Sequence, residues 1–527
     1  MEMLFFIISK IIYALFGISF LIITVSFLNR IYILYLYKKT AALKEPKPKA
    51  EFPELPFVTV QLPIYNESPV ISRLINNICL LDYPRDRLEI QVLDDSTDET
   101  KEIARALCEE KRAEGIDIVH IRRENREGYK AGAMHYALET AKGEFVAIFD
   151  SDFLPAPDFL RRTIHFFTDK KIGWVQASWA HLNENFSLLT QCIALFCDSM
   201  FKVESSARNK LGHWGVFNGT AGVLRKTMIN DVGGWQWDTI TEDNDLSYRA
   251  QALGWQYVVL TETSCLCELP PTLPIFIEQQ SRWSKGNVQV IRKLFKGILS
   301  ANVGIKNKFD FITYLTNYLF FPAVTILSLL IMPNILLNGT TNFWGTDLTA
   351  GTSGLLLGLL VFLSGIAVIF LFFKYAQKNR KSFLYLLFRS FLFVFMSIGL
   401  APFIAVAILE GFFKKDQVFV RTPKFDLTDK CAFQKVKKQS SLKIKKIALV
   451  CLLMGSYMLL SLLVTLSNHT EITLRYLIAM MLFFTSYSYF GFLLAFPEQK
   501  FLRNIFEFQT NKIMDTFEQS TGMSEWK

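Results

Sequence analysis

Charge is missing from five long stretches of this 527-residue sequence: Ile11 to Asn29, Phe311 to Leu337, Ser353 to Phe373, Ile447 to Ser467 and Tyr476 to Pro497. A helix needs roughly 20 apolar residues to cross a bilayer, so each run is long enough to span one. The first lacks the small-residue cleavage pattern of a removable leader, and its apolar stretch resumes at Ile31, so it reads as a retained helix. Paired metal-binding cysteines are lacking too. Cys265-Leu266-Cys267 has no matching second pair, which argues against a zinc site. What is abundant is apolar and aromatic surface: 51% hydrophobic and 14% aromatic residues, more than a soluble chain of this size carries. From Thr40 to Lys308, by contrast, no run of comparable length is free of charge, so this segment reads as a soluble domain set between membrane helices.

Lys and Arg are also absent from the loop Asn338 to Thr352, and that absence orients the chain. Short cytosolic loops collect basic residues. Arg30, Lys38, Lys39, Lys44, Lys47 and Lys49 follow the first span, which places the large domain in the cytosol. Lys374, Lys378, Arg380 and Lys381, and the basic stretch Lys414 to Lys446, belong on the same side. Ser382 to Phe413 must then begin and end on one face. Its Gly399-Leu400-Ala401-Pro402 break points to an interfacial or re-entrant helix pair instead of a span.

The expected division is a transmembrane helix over 1–39, a cytosolic domain over 40–308, and two transmembrane helices plus the interfacial pair over 309–413. A cytosolic basic loop over 414–446, two further spans over 447–497 and a cytosolic tail over 498–527 complete a multi-pass membrane protein. The net charge of +9 is accounted for by loops facing anionic membrane lipids, with no nucleic-acid partner. Seven of the eight cysteines fall in segments facing a reducing compartment.

Within the soluble domain, short apolar runs alternate with amphipathic stretches. Phe57 to Leu62, Leu88 to Leu93, Ile116 to Ile121 and Glu144 to Phe149 read as strands; Ser68 to Leu81, Thr97 to Glu114 and Tyr129 to Lys142 read as helices. This alternation predicts an α/β fold with a mostly parallel sheet, whose ligands bind at the carboxyl ends of the strands. Acidic residues stand there: Asp94 and Asp95 after the second strand, Asp150 and Asp152 after the fourth. Two carboxylates at alternate positions can hold a hard divalent cation together with substrate phosphates, or can simply form a solvated turn.

Arg126-Glu127-Gly128-Tyr129-Lys130-Ala131-Gly132 opens a helix, where free N–H groups and the charges of Arg126 and Lys130 suit a pyrophosphate. Thr241-Glu242-Asp243 precedes another. Its carboxylates suit a general base, and equally suit a helix dipole. Gln279-Gln280-Ser281-Arg282-Trp283 pairs a guanidinium fork with a flat apolar ring; beside an amphipathic helix the same pair also serves as a membrane-interface anchor.

The order of these groups is specific. Asp94-Asp95, Asp150-x-Asp152, Thr241-Glu242-Asp243 and Gln279-x-x-Arg282-Trp283, with membrane helices on both sides, resemble the D, DxD, TED, QxxRW series of family 2 processive membrane glycosyltransferases such as cellulose and hyaluronan synthases. Val175-Gln176-Ala177-Ser178-Trp179-Ala180-His181-Leu182-Asn183 and Phe217-Asn218-Gly219-Thr220-Ala221-Gly222-Val223 bring the likeness nearest to cellulose-synthase-like mannan and glucan synthases. It covers about Val58 to Leu299 and continues more loosely beyond.

The resemblance implies a GT-A type domain inserted between transmembrane helices. It also implies an inverting transfer of a hexose from UDP-glucose or GDP-mannose to a growing β-linked polysaccharide, with translocation through the membrane. A glycolipid synthase adding one sugar to diacylglycerol or ceramide is the alternative. By the same resemblance, Asp95 together with Asp94 would contact the nucleoside, and Asp150 and Asp152 would bind nucleotide and Mg²⁺ or Mn²⁺. Asp243, beside Glu242, would be the base, and Gln279, Arg282 and Trp283 would bind the leaving diphosphate and the acceptor end. Phe419-Val420-Arg421-Thr422-Pro423-Lys424 is similar to the gating loop of cellulose synthases, except that Arg421 stands where that loop has an apolar residue.

Overall fold

The structure, a computed structural model, describes residues 2–338, 351–377, 381–413, 422–425, 442–467 and 471–495. Helix α1 (Glu2–Thr40) is followed by β1 (Val58–Ile64), α2 (Ile71–Ile78), β2 (Leu88–Asp94), α3 (Thr100–Ala113), β3 (Ile118–Ile121), α4 (Tyr129–Leu138) and β4 (Phe145–Ile148). Then come β5 (Leu154–Pro155), α5 (Phe159–Ile164), β6 (Ile172–His181), α6 (Leu188–Ser199), α7 (Ser206–Lys210), β7 (Gly222–Arg225), α8 (Lys226–Asp231), α9 (Glu242–Ala252), β8 (Gln256–Cys267) and α10 (Leu273–Ser300). The chain continues in α11 (Ile305–Asn338), α12 (Gly351–Ala376), α13 (Phe383–Phe413), α14 (Leu442–Ser467) and α15 (Glu471–Ala495).

Every residue of β1 and β2 is buried, as expected for central strands covered on both faces. The four apolar runs of the sequence are β1 to β4, and the helices between them are α2 to α4, each somewhat shorter than its pattern predicts. Sheet order is β3-β2-β1-β4-β7-β6-β8-β5. The first four strands pair in parallel, as does β6 with β8. β4 with β7, β6 with β7, and β5 with β8 pair antiparallel, so the sheet is mixed, with parallel pairings in the majority. Two of the three antiparallel pairings involve β7, a four-residue strand inserted between β4 and β6. One core cluster lies between the sheet and α2, α3 and α5; another joins it to α4, α8 and α9.

Among the described residues, three helices are long and apolar enough to cross a membrane: those at Phe6–Thr40, Phe383–Phe413 and Lys445–Leu466. Helix α11 makes a fourth if its two parts, bent by 41° between Tyr314 and Asn317, count as one span. The interfacial or re-entrant pair expected over 382–413 is instead one unbroken helix, α13. Gly399, read as a break, serves packing: a Cβ there would lie 2.6 Å from the Phe490 ring of α15. Pro402 sits inside the helix, as proline can where neighbouring helices cover it. The carboxyl end of α13 abuts α10. Glu410 pairs with Lys285 at 2.8 Å, Arg292 donates to the Phe412 carbonyl at 2.6 Å, and a Cβ on Gly411 would lie 2.8 Å from the Lys285 carbonyl.

Candidate active site

Strands β1, β2 and β4 end on one crevice, whose walls include Tyr65, Asp95, Arg126, Lys130, Asp150, Asp152, Glu242, Asp243, Gln279, Arg282, Trp283, Thr422 and Lys424. Residues more than 300 positions apart in sequence meet there. Asp94 does not, although the sequence pairs it with Asp95. Its buried carboxylate accepts from His120 Nε2 at 2.8 Å, Arg122 Nη1 at 3.1 Å and the Ser96 N–H at 2.8 Å. Burial pushes this carboxyl up, but the hydrogen bonds from His120 and Ser96 outweigh it and hold the group below its ordinary value. Asp94 ties strand ends together outside the cavity, which corrects its assignment to the nucleoside.

Asp95 lines the cavity and is gripped by Arg123, whose Nε and Nη2 lie 3.0 and 2.5 Å from its two carboxylate oxygens. Arg123 also donates to the carbonyls of Glu127 (2.7 Å) and Tyr129 (3.0 Å), so one guanidinium shapes the turn that opens α4. Gly128 caps that helix at φ +69°, where a Cβ would strike Trp237 at 2.6 Å. Arg126 stacks on the Tyr65 ring, 3.3 Å from its centroid, with Tyr129 at 4.9 Å.

Lys130, the second residue of α4, donates to Asp150 Oδ1 at 2.5 Å and to the Gly219 carbonyl at 2.9 Å; Glu242 is 4.0 Å away. Burial lowers the pKa of this ammonium, but Asp150 and Glu242 overcome that and hold it above its ordinary value. Asp152 pairs with Lys424 at 2.5 Å. Thr422 accepts from Arg282 Nη2 at 3.3 Å, and the Phe425 N–H points to Glu268 Oε2 at 3.4 Å. The segment 422–425 is thereby fastened to three sides of the crevice. Phe419 and Val420 lie outside the described residues.

Asp243 stands in the first turn of α9. Burial pushes its carboxyl up to about 7, and the adjacent Glu242 charge adds to the rise while Lys130 opposes it. Burial raises Glu242 as well, against the pull of Lys130. A carboxylate poised near neutrality can accept a proton from an alcohol and release it again. Gly219 makes room for it: at φ +77°, a Cβ there would lie 2.8 Å from Asp243 Oδ2. Gly286 of α10 plays a similar part beneath Thr241, 2.5 Å from where a Cβ would be. On α10, Gln279, Arg282 and Trp283 share one face at i, i+3, i+4 spacing and all line the cavity. Trp283 lies 6.5 Å from Trp179, centroid to centroid.

Several positioning groups escaped the sequence. Gln176 accepts from the Asn218 N–H at 2.9 Å and donates to the carbonyls of Thr220 and Ala221, clamping the turn that carries Gly219. Thr220 Oγ1 accepts from the Asp150 N–H at 2.9 Å. Ser247 joins the Phe217 N–H (2.8 Å) to the Asp243 carbonyl (2.7 Å). The two stretches that carry the likeness to mannan and glucan synthases are thus partners in one scaffold around Asp150 and Asp243.

Asp150 and Asp152 offer hard oxygen donors at alternate positions, the chemistry Mg²⁺ or Mn²⁺ accepts when phosphates and water complete its shell. Among the described residues no third His, Cys, Asp or Glu joins them in a metal-binding cluster, so this donor set fits an ion shared with a diphosphate and not a closed structural site. The seven described cysteines are free thiols, and burial raises the pKa of Cys197, Cys265 and Cys267.

Residues 55–286 match the sequence profile of the family described as Glycosyltransferase like family 2. Glucomannan 4-beta-mannosyltransferase 1 of Oryza sativa subsp. japonica is 41% identical over 262 residues, covering 49% of this chain and 50% of the relative. Glucomannan 4-beta-mannosyltransferase 2 of Arabidopsis thaliana is 43% identical over 249 residues, covering 46% and 47%. The chain spans about half the length of the curated relatives it matches. A mannosyltransferase from Pyrobaculum calidifontis, solved in complex with GDP-Man and Mn²⁺, shares the fold with a TM-score of 0.54 at 19% identity, covering 76% of this chain and all of that one.

Proposed function

We propose that this chain, which carries a family 2 glycosyltransferase domain over residues 55–286, transfers mannose from GDP-mannose to the growing end of a β-linked polysaccharide. The observation that carries the proposal is the meeting of Asp243, raised toward neutrality, with Asp150, Asp152 and Arg282 in one crevice. Names of the plant relatives favour mannose among hexoses and a polymer among acceptors. The basic loops favour a cytosolic catalytic domain, and the apolar helices on both sides favour export of the polymer through the membrane.

In this reading the acceptor hydroxyl approaches the anomeric carbon from the face opposite the diphosphate, and Asp243 takes its proton. The new C–O bond forms as the bond to the β-phosphate oxygen breaks, and GDP leaves with the electron pair. Arg282 and Lys130 face the charge that grows on the departing diphosphate, an arrangement that acts most strongly in a water-poor site. Mg²⁺ or Mn²⁺ held by Asp150 and Asp152 would supply Lewis-acid neutralisation of the same phosphates. Asp95 and Arg126 border the nucleoside end, Trp283 offers its face to the acceptor sugar, and Thr422 and Lys424 cover the loaded site.

Product analysis tests this. The full chain in lipid is incubated with Mg²⁺ or Mn²⁺ and radiolabelled GDP-mannose or UDP-glucose in parallel. Label from GDP-mannose in an ethanol-insoluble polymer cut by a β-mannanase is the expected result. Label that extracts into organic solvent would make the chain a glycolipid synthase, and label from UDP-glucose alone would overturn the donor.

A further inference from the structure

We infer that Tyr314, on membrane helix α11, is a positioning residue for Asp243 and acts through Asn287 and Asn244; the inference rests on the reading of Asp243 as the base. Tyr314 does not line the crevice, and neither does either asparagine. They form a closed triangle of hydrogen bonds behind it. Asn244 Nδ2 donates to Asn287 Oδ1 at 2.5 Å and to the Tyr314 hydroxyl at 2.8 Å, and that hydroxyl donates to Asn287 Oδ1 at 2.7 Å. Asn244 and Asn287 are buried, so the bonds are shielded from competing water.

What the triangle fixes is the first turn of α9. Such turns are held weakly, because their N–H groups have no partners inside the helix. The Asn244 N–H donates to Asp243 Oδ1 at 2.8 Å. With Asn244 pinned on one side and the bare backbone of Gly219 pressed close on the other, the Asp243 carboxylate has little freedom to turn. Three elements contribute one corner each: α9 carries the base, α10 carries Arg282 and Trp283, and α11 enters the membrane.

The corner on α11 has a further property. Tyr314 is the last residue before the 41° bend, and just beyond it Asn317 Oδ1 accepts from Asn29 Nδ2 of α1 at 2.9 Å. Rings of Tyr248, on α9, and Tyr318 pack against Tyr314 with centroids 5.6 Å away. A change in the bend would therefore pull directly on the residue beside the base. Membrane packing and proton transfer are joined through one hydroxyl.

The test uses the full chain in lipid bilayers with GDP-mannose as donor. Tyr314→Phe removes only the hydroxyl, and with it two of the three hydrogen bonds of the triangle, and should lower kcat roughly tenfold while KM for GDP-mannose stays within about twofold. Asn287→Ala should reproduce that loss, and the double variant should be no worse than either alone, because both break one triangle. Unchanged kcat, a loss confined to KM, or additive losses would each overturn the inference. Asp243→Asn measured alongside separates the two claims: transfer that survives it overturns the base reading, whereas a dead Asp243→Asn beside a normal Tyr314→Phe overturns the positioning role alone.

Discussion

Asp94-Asp95 and Glu242-Asp243 are both adjacent acidic pairs, but Asp95, Glu242 and Asp243 line the crevice while Asp94 lies outside it, and the environments of Asp94 and Asp243 drive them in opposite directions. Asp94 is surrounded by donors from His120, Arg122 and Ser96 and is held ionised below its ordinary pKa. Asp243 accepts from the Asn244 N–H, sits beside a second carboxylate, and is buried, which raises it to about 7. Donor supply and burial, not residue type, divide the work: one carboxylate fixes structure, the other can exchange a proton near neutrality.

The comparison can be broken most sharply at Asp243. Asp243→Asn should reduce transfer by roughly 10²–10⁴-fold, the usual worth of a positioned general base, with GDP-mannose binding retained by calorimetry. Next in size is the pH profile. With the carboxyl near 7, kcat/KM should fall about tenfold per pH unit below that value, because only the ionised form accepts the proton; a flat profile from pH 5 to 8 would remove Asp243 from the role.

Arg123→Ala should raise KM for GDP-mannose about tenfold with kcat little changed, since it releases Asp95 and the turn at Glu127 and Tyr129 but touches nothing on α9. The smallest effect belongs to Asp94→Asn, a loss of about 1–3 kcal/mol in stability measured by denaturant unfolding. Its sign with pH follows from the depressed pKa. The carboxylate stabilises the fold above the ordinary Asp range and ceases to as pH falls through the folded value, so the variant should lose less stability on acidification than the wild type.

Much of this was legible from patterns of charge and apolarity. Strands β1, β2 and β4 show because parallel strands covered on both faces are continuous apolar runs; Lys130, Asp150 and Asp152 show because they sit at a helix start or just after a strand end, whereas Arg282 and Trp283, inside α10, show through the order of the motifs. β7 is only four residues long and its antiparallel return depends on tertiary pairing, so the mixed sheet did not show. The Gly-Leu-Ala-Pro stretch in α13 misled for a related reason: glycine there answers to the Phe490 ring, a neighbour distant in sequence.

Arg123 was missed although a signal existed. β2 and β3 pair in parallel with Leu93 beside Ile121, so the same register carries Asp94 to Arg122 and Asp95 to Arg123, the two ion pairs observed. Reading it needs the register as well as the strands. Segment 422–425 shows the limit of such patterns, for no local periodicity reveals that Lys424 reaches Asp152.

The most direct measurement puts Asp243→Asn and Asp94→Asn side by side in lipid, scoring mannosyl transfer from GDP-mannose and denaturant unfolding for each. One variant should lose transfer and keep its stability, and the other should lose stability and keep transfer when folded. If both lose transfer to the same degree, or if Asp243→Asn still turns over, the division of labour between the two acidic pairs is wrong.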